Sequence, residues 1–164
     1  MSLAGRRMVA IGAAVIAVAG LNTGCGGEQL AEELGGQVID GDVDIKNDSL
    51  TITDDEGNEF AAGGGTQIPD SWPDGVPLFP NGDLVLATSQ TDGTATALWE
   101  VTSSVDEAAT AYDDVLSSQG FTLDQDATIA GAIVRTYSGE LHTVNVTVAN
   151  TAGTTNVNIA VVPK

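Results

Sequence analysis

The only cysteine of this 164-residue chain, Cys25, lies four positions after the end of an apolar segment. Residues 1–7 carry two positive charges, and the fourteen residues 8–21 are all apolar or glycine. As a helix this run would reach only about 21 Å, less than the roughly 30 Å of a bilayer core. A basic start followed by a short apolar run predicts that residues 1–24 are a secretory signal peptide.

Small residues lead into the cysteine, in the order Asn22-Thr23-Gly24-Cys25. The segment resembles the lipobox of bacterial lipoproteins, although Leu21 stands four places before the cysteine instead of three. The resemblance implies a diacylglyceryl group, typically with palmitate, on the thiol of Cys25, which becomes the mature N-terminus. Two acyl chains, at about 0.8 kcal/mol per buried methylene, hold a soluble domain at a membrane. The alternative is an ordinary signal peptide with an incidental cysteine.

The export route stays open at this stage. Arg6 and Arg7 are compatible with a twin-arginine signal, but a pair of arginines is also the ordinary basic start of a signal peptide. Either route leads to the same expected location, the outer face of the cytoplasmic membrane, with the lipid on Cys25 as the attachment.

Acidic residues dominate the charge, with twenty-three Asp and Glu against five Lys and Arg. Removal of residues 1–24 would leave three basic residues and a net charge of −20. Nucleic acid is excluded as a partner, because its phosphates must be neutralised by Lys and Arg. Anionic lipid headgroups are excluded for the same reason. The lipid would tether a domain that the membrane surface repels.

Residues suited to catalysis are few. His142 is the only histidine, and no Gly-x-Ser-x-Gly motif accompanies it. A zinc site commonly needs three or four N or S ligands, and the triple glycine 63–65 lacks the Gly-Lys ending of a phosphate-binding loop. The sequence therefore predicts no enzyme and no cofactor. An envelope hydrolase that uses two acidic residues is the alternative, and spacing alone does not test it.

Calcium is the one metal that the spacing suggests. The candidate ligands are Asp40, Asp42, Asp44 and Asp48. They begin with the 1-3-5 spacing of an EF-hand, but Ile45 stands where that loop needs glycine and Thr51 where it needs glutamate. If the segment is a strand, the aspartates share its solvent face. A cation-binding surface protein is thus a further alternative, and no metal ligand is assigned.

The segments before residue 83 divide by composition into a lipid-anchored stalk at 25–41, a β-hairpin and Gly-rich linker at 42–66, and a Pro-rich extended segment at 67–82. The hairpin has one apolar face, since Val43 and Ile45 alternate with aspartates. We expect it to pack onto the following domain or to be poorly ordered. Together with the Pro-rich segment, it is expected to cover what the helix leaves exposed.

The pattern of residues 83–164 predicts a small antiparallel sheet with one helix on a face, an α+β fold in the order β-β-α-β-β-β-β. Strands are predicted at 84–88, 95–102, 122–128, 132–138, 142–149 and 154–162. The helix is predicted to start at a capping box, Ser104 with Glu107, and to end at Gly120. Three aromatic side chains, Trp72, Trp99 and Tyr137, hint at binding, but core positions are the simpler interpretation.

The whole arrangement resembles uncharacterised secreted lipoproteins of actinobacteria. The segment that carries this resemblance is Trp72-Pro73-Asp74-Gly75-Val76-Pro77-Leu78-Phe79-Pro80. The resemblance implies location and architecture but no activity. We therefore expect a lipid-anchored, non-enzymatic module of the cell envelope, a monomer that binds an envelope protein or a small ligand.

Overall fold

A computed structural model describes residues 41–46 and 49–164, which form a nine-stranded antiparallel sheet with one helix packed on it. The strands are β1 (Gly41–Lys46), β2 (Ser49–Asp54), β3 (Glu59–Gly63), β4 (Asp83–Ser89), β5 (Ala95–Val101), β6 (Thr122–Ile129), β7 (Ala132–Ser138), β8 (His142–Thr151) and β9 (Thr154–Pro163), and the helix is α1 (Val105–Ser118). Across the sheet their order is β1-β2-β3-β4-β5-β9-β8-β7-β6. The predicted α+β class is confirmed.

The predicted order of elements is wrong for the sheet as a whole, because five strands and not two precede the helix. The cause is the pairing of β3 with β4, in which Phe60 lies opposite Thr88 and Ala61 opposite Ala87. The strands β1, β2 and β3 thereby extend the sheet at its edge. Unpaired strand edges carry free N–H and C=O groups, so edge pairing satisfies more of the backbone than face packing would.

Helix α1 begins and ends where its sequence predicts. The Ser104 hydroxyl accepts from the Glu107 N–H, and the Glu107 carboxylate accepts from the Ser104 N–H at 3.0 Å. At the other end Gly120 has φ +85°, and the Phe121 N–H donates to the Leu116 carbonyl at 3.1 Å. The apolar face of the helix is buried through Ala108, Ala109, Tyr112 and Leu116.

One face of the sheet forms the core, and α1 covers β6 to β9 on that face. Alternation along each strand sends every second side chain inward. Inward residues of the neighbouring strands β5, β9 and β8 include Ala95, Ala97, Trp99, Val144, Val146, Val148, Val157, Ile159 and Val161, all buried.

The Pro-rich segment covers the remainder of the same face. The ring of Phe79 lies 6.2 Å from that of Trp99 and 5.8 Å from that of Tyr112, measured between centroids. Trp72 packs half-buried against the core, and its indole N–H donates to the Val76 carbonyl at 3.1 Å. The segment thus places two aromatic side chains along the core.

Polar contacts fix the start of this segment to the sheet. The Ser71 hydroxyl donates to the carboxylate of Glu59 on β3 and is hydrogen-bonded to the hydroxyl of Ser89 on β4. The Ser71 N–H donates to the same carboxylate at 3.3 Å. Since β3 and β4 are neighbours, these bonds hold the segment across the junction that extends the sheet.

Candidate functional site

The predicted lipid attachment site, Cys25, lies outside the described residues, together with the signal peptide at 1–24 and residues 25–40 of the stalk. Nothing in the described part of the chain bears on their roles. Between residues 41 and 164, without 47 and 48, no helix combines the length and the apolar character needed for a membrane span.

Two of the four aspartates considered for calcium, Asp40 and Asp48, also lie outside the described residues. Asp42 and Asp44 lie on β1, on one face of the strand and exposed. The extended backbone of β1 differs from the tight loop of an EF-hand. Among described side chains, no group of three or more His, Cys, Asp or Glu is arranged to hold a metal ion.

His142 is the first residue of β8 and is half-buried. Its carbonyl accepts the Gly139 N–H at 2.8 Å, and its backbone lies opposite Pro163 in the sheet. Through its backbone the residue therefore closes the turn between β7 and β8.

Two of the aromatic side chains that hinted at binding, Trp99 and Tyr137, belong to the core. Their exposed fractions are 4% and 1%. Trp72 keeps partial contact with solvent beside the same core. The interpretation of these residues as core residues is confirmed for the first two.

A polar cluster joins α1 to β7 beneath the helix. The Arg135 guanidinium donates to the Ala109 carbonyl at 3.0 Å and to the Asp126 carboxylate at 3.2 Å. The Tyr137 hydroxyl donates to the Asp113 carboxylate at 3.0 Å. Burial, followed by this hydrogen bond, raises the pKa of Tyr137 to about 12. The cluster links the helix to the sheet through the protonated hydroxyl of Tyr137 and the guanidinium of Arg135.

Acidic side chains of α1 line a shallow, open depression on the outer side of the helix, formed by Asp106, Glu107, Thr110, Ala111 and Asp114. The pKa of Glu107 is lowered, first by the backbone N–H of Ser104 and then by its hydroxyl. A catalytic acid needs the opposite shift, which burial would produce. The role of Glu107 is to cap the helix.

The second face of the sheet, opposite α1, carries two complete rows of side chains without a single charge. Cross-strand pairing aligns one row as Val43, Ile52, Phe60, Thr88, Thr96, Ala160, Asn145, Thr136 and Gln125. The other row is Ile45, Leu50, Ala62, Leu86, Leu98, Asn158, Thr147, Val134 and Ala127. All eighteen side chains are half-buried or exposed. We call these two rows the uncharged face.

The uncharged face changes in character from one edge of the sheet to the other. Its members on β1 to β5 are aliphatic or aromatic except for Thr88 and Thr96. Its members on β9 to β6 are mostly threonine, asparagine and glutamine, with Val134 and two alanines among them. The first group offers apolar area, and the second offers hydroxyl and amide groups for hydrogen bonds.

Carboxylates lie beside the two rows and not within them. Asp83 and Glu100 are opposite each other at one end of β4 and β5, beyond the row that contains Leu98. Asp124, near the β6 edge, is hydrogen-bonded to the Ser138 hydroxyl. A chain with net charge −18 thus keeps one broad band of its sheet free of charge.

Sequence reasoning missed the uncharged face, although two of its strands, β1 and β8, show an alternating pattern. The alternation of Val43 and Ile45 with aspartates was visible, and so was that of Asn145 and Thr147 with valines. Assembly of these side chains into rows requires the register of all nine strands, and that register cannot be read from the sequence alone.

Comparison with known proteins returned no relative for this fold and surface: no family model, no curated protein and no solved structure matches the chain. The function proposed for the chain therefore rests on its residues and their geometry.

Proposed function

We propose that this protein is a non-enzymatic interaction module, held at the outer face of the cytoplasmic membrane by a lipid on Cys25, with the uncharged face as its binding surface. The observation that carries the proposal is the pair of uncharged rows across all nine strands of an otherwise acidic chain. The resemblance to secreted actinobacterial lipoproteins supports the same location.

Exposure of apolar side chains on this face supports a binding role. Val43 and Ile45 are each 48% exposed, and Leu50 and Phe60 beside them are half-buried. Contiguous apolar patches on a soluble protein mark interaction sites, because apolar surface in water is unfavourable unless a partner covers it. A face used only for solvation would carry some of the many acidic residues of this chain.

The lipid supplies an attachment to the membrane that the negative charge of the domain cannot provide. An acidic domain is repelled by anionic headgroups, so it needs a covalent anchor to stay at a membrane. Cys25 is the only thiol of the chain, and it follows a basic start and an apolar run. These residues support acylation of Cys25 after export.

Intact mass and membrane partitioning in the native host test the proposal, with wild type compared with Cys25→Ala and with a Thr110→Ala control. We expect a diacylglyceryl mass on wild type and control, both in the membrane fraction, and loss of membrane association in Cys25→Ala. An unmodified, soluble wild-type protein would contradict the anchor. Turnover of an envelope substrate that is abolished by one acidic or His142 substitution would contradict a non-enzymatic role.

A further inference from the structure

We propose that the partner of the uncharged face is a second copy of this chain, packed face to face at the membrane. The inference rests on the proposed function, because it uses the uncharged face as the binding surface and the lipid on Cys25 to confine both copies. It replaces the expectation of a monomer with a two-fold dimer.

The gradient along the face selects one symmetry. A two-fold axis that runs along the rows, across the strands, places every strand over the same strand of the partner. The apolar strands β1 to β5 then meet their own counterparts, and the threonine and asparagine side chains on β7 to β9 meet theirs. An axis parallel to the strands would instead place β1 over β6 and Ile52 over polar groups. Only the first arrangement is self-complementary, as an isologous interface requires.

The area allows only a weak contact. Nine strands about 4.8 Å apart span about 43 Å, and two rows cover about 14 Å along the strands, so each copy offers at most about 600 Å². The total of at most about 1,200 Å² does not exceed the lower limit of specific interfaces, and the twist of the sheet concentrates the contact on its middle strands. Two sheets pack about 10 Å apart with their strands nearly aligned, and the absence of charge in both rows permits that packing.

Confinement to one membrane compensates for a weak contact. Tethering raises the effective concentration of one copy near another without adding any contact. In the proposed dimer both β1 strands lie at the same end of the axis, and β1 begins at Gly41, sixteen residues after Cys25. A chain of that length reaches at most about 55 Å, so both lipids can enter the same bilayer.

The position of the carboxylates permits close approach. Asp83 and Glu100 lie at one end of their strands, and the axis along the rows places the same end of the partner at the opposite side. These two pairs therefore do not face each other. The remaining repulsion acts between acidic surfaces and is screened over about 8 Å at physiological salt. Added salt should therefore strengthen the dimer, whereas it would weaken a contact built on ion pairs.

Cross-linking in intact membranes tests the contact on the full, lipidated chain. Thr96 lies in one uncharged row on β5, the middle strand of the nine. In Thr96→Cys the new cysteine is the only free thiol once Cys25 is acylated. A bismaleimide with a spacer of about 10 Å, matched to the distance between packed sheets, should join two copies. Thr110→Cys, on the exposed side of α1, is the matched control.

The expected result is a covalent product of twice the monomer mass from Thr96→Cys, at least fivefold more abundant than from Thr110→Cys, and increased by added salt. Equal yields from the two positions, no product, or a product containing another protein would overturn the inference. The mass on Cys25, read from the same samples, tests the anchor separately. Lipid on Cys25 without a dimer would leave the proposed function standing and remove its assigned partner.

Charge placed on the face gives a second readout. In the Thr96→Cys background, Leu98→Asp and the isosteric Asn158→Asp should each reduce the dimer product at least fivefold, since two copies would bring the new carboxylates together. Leu141→Asp, at a residue that is 66% exposed and outside the face, should leave the yield unchanged. Asn158→Asp keeps the volume of the side chain, so an unchanged yield from a folded protein would also overturn the inference.

Discussion

The hydroxyl of Tyr112 donates a hydrogen bond of 2.7 Å to the carbonyl oxygen of Pro77. Tyr112 is fully buried on α1, and Pro77 lies in the Pro-rich segment, thirty-five positions earlier in the chain. The bond joins the two elements that together cover the inner face of the sheet. It makes the helix and the Pro-rich segment depend on each other for stability.

Removal of that bond should destabilise the fold without changing its core volume greatly. Tyr112→Phe keeps the ring contact with Phe79 and leaves the Pro77 carbonyl without its donor. We expect the free energy of unfolding to fall by about 1–2 kcal/mol, measured by urea denaturation. Thr110→Ala, exposed on the same helix, should change it by less than about 0.5 kcal/mol. Equal effects of the two variants would contradict this role.

Alkaline pH should unfold the protein as its tyrosines ionise. Burial raises the pKa of Tyr137 from 10.0 to about 12, and burial raises that of Tyr112 further. Because the folded pKa values exceed the unfolded ones, this stabilisation is complete below pH 10 and is lost as the pH rises through 12. Tyr112 and Tyr137 are the only tyrosines, so ultraviolet absorbance follows them directly. Tyrosinate formed near pH 10 in a protein that keeps its circular dichroism would contradict the prediction.

Two hydrogen bonds of Arg135 should contribute differently to the free energy of unfolding. Its bond to the Ala109 carbonyl lies beneath the helix, whereas Asp126 is 47% exposed. Arg135→Met should reduce the free energy of unfolding by about 1.5–3 kcal/mol, because a charged donor to a buried carbonyl is lost. Asp126→Asn should cost less than about 0.5 kcal/mol, since exposed ion pairs contribute little. Thermal unfolding of the two variants at neutral pH distinguishes these contributions, and a larger loss from Asp126→Asn would reverse the assignment.

Gly82 should not tolerate a side chain. Its φ is +143°, and a Cβ there would lie 2.9 Å from the Glu100 carbonyl oxygen and 2.6 Å from the Val101 side chain. Gly82→Ala is expected to lower stability by about 2 kcal/mol or more, through backbone strain and collision. Gly64→Ala is the matched control, because nothing lies within 4 Å of its added Cβ. We expect that control to be neutral or slightly stabilising in the same denaturation assay.

Local sequence patterns predicted the strands and the helix after residue 83 well. They did not predict the attachment of β1, β2 and β3 to the sheet, because that attachment depends on pairing between distant segments. The capping box of Ser104 and Glu107 and the Gly120 end of α1 were readable, because each depends on residues a few positions apart. The pairing of Phe60 with Thr88 was not, because it joins strands separated by the whole Pro-rich segment. Register across such a gap depends on the completed core and leaves no local signal.

The uncharged face could not be predicted for the same reason, because it also depends on the register of distant strands. The sequence showed that Val43 and Ile45 form an apolar face of the first hairpin, and this hairpin was expected to help cover what the helix leaves exposed. That expectation is wrong, because the hairpin extends the edge of the sheet and adds its own apolar side chains to the uncharged face. Because the hairpin pairs at the edge of the sheet, it covers none of the uncharged face and enlarges that face instead.

The place of β9 between β5 and β8 determines when the sheet can form during synthesis. A nascent chain emerges N-terminus first, and until β9 has emerged the strands on its two sides share no hydrogen bonds with each other. Trp99 and Val148 also lack Val157, which lies between them in the sheet. The core is therefore completed only after the polypeptide has left the ribosome to residue 163. Before that moment β1 to β5 and β6 to β8 cannot join into one sheet.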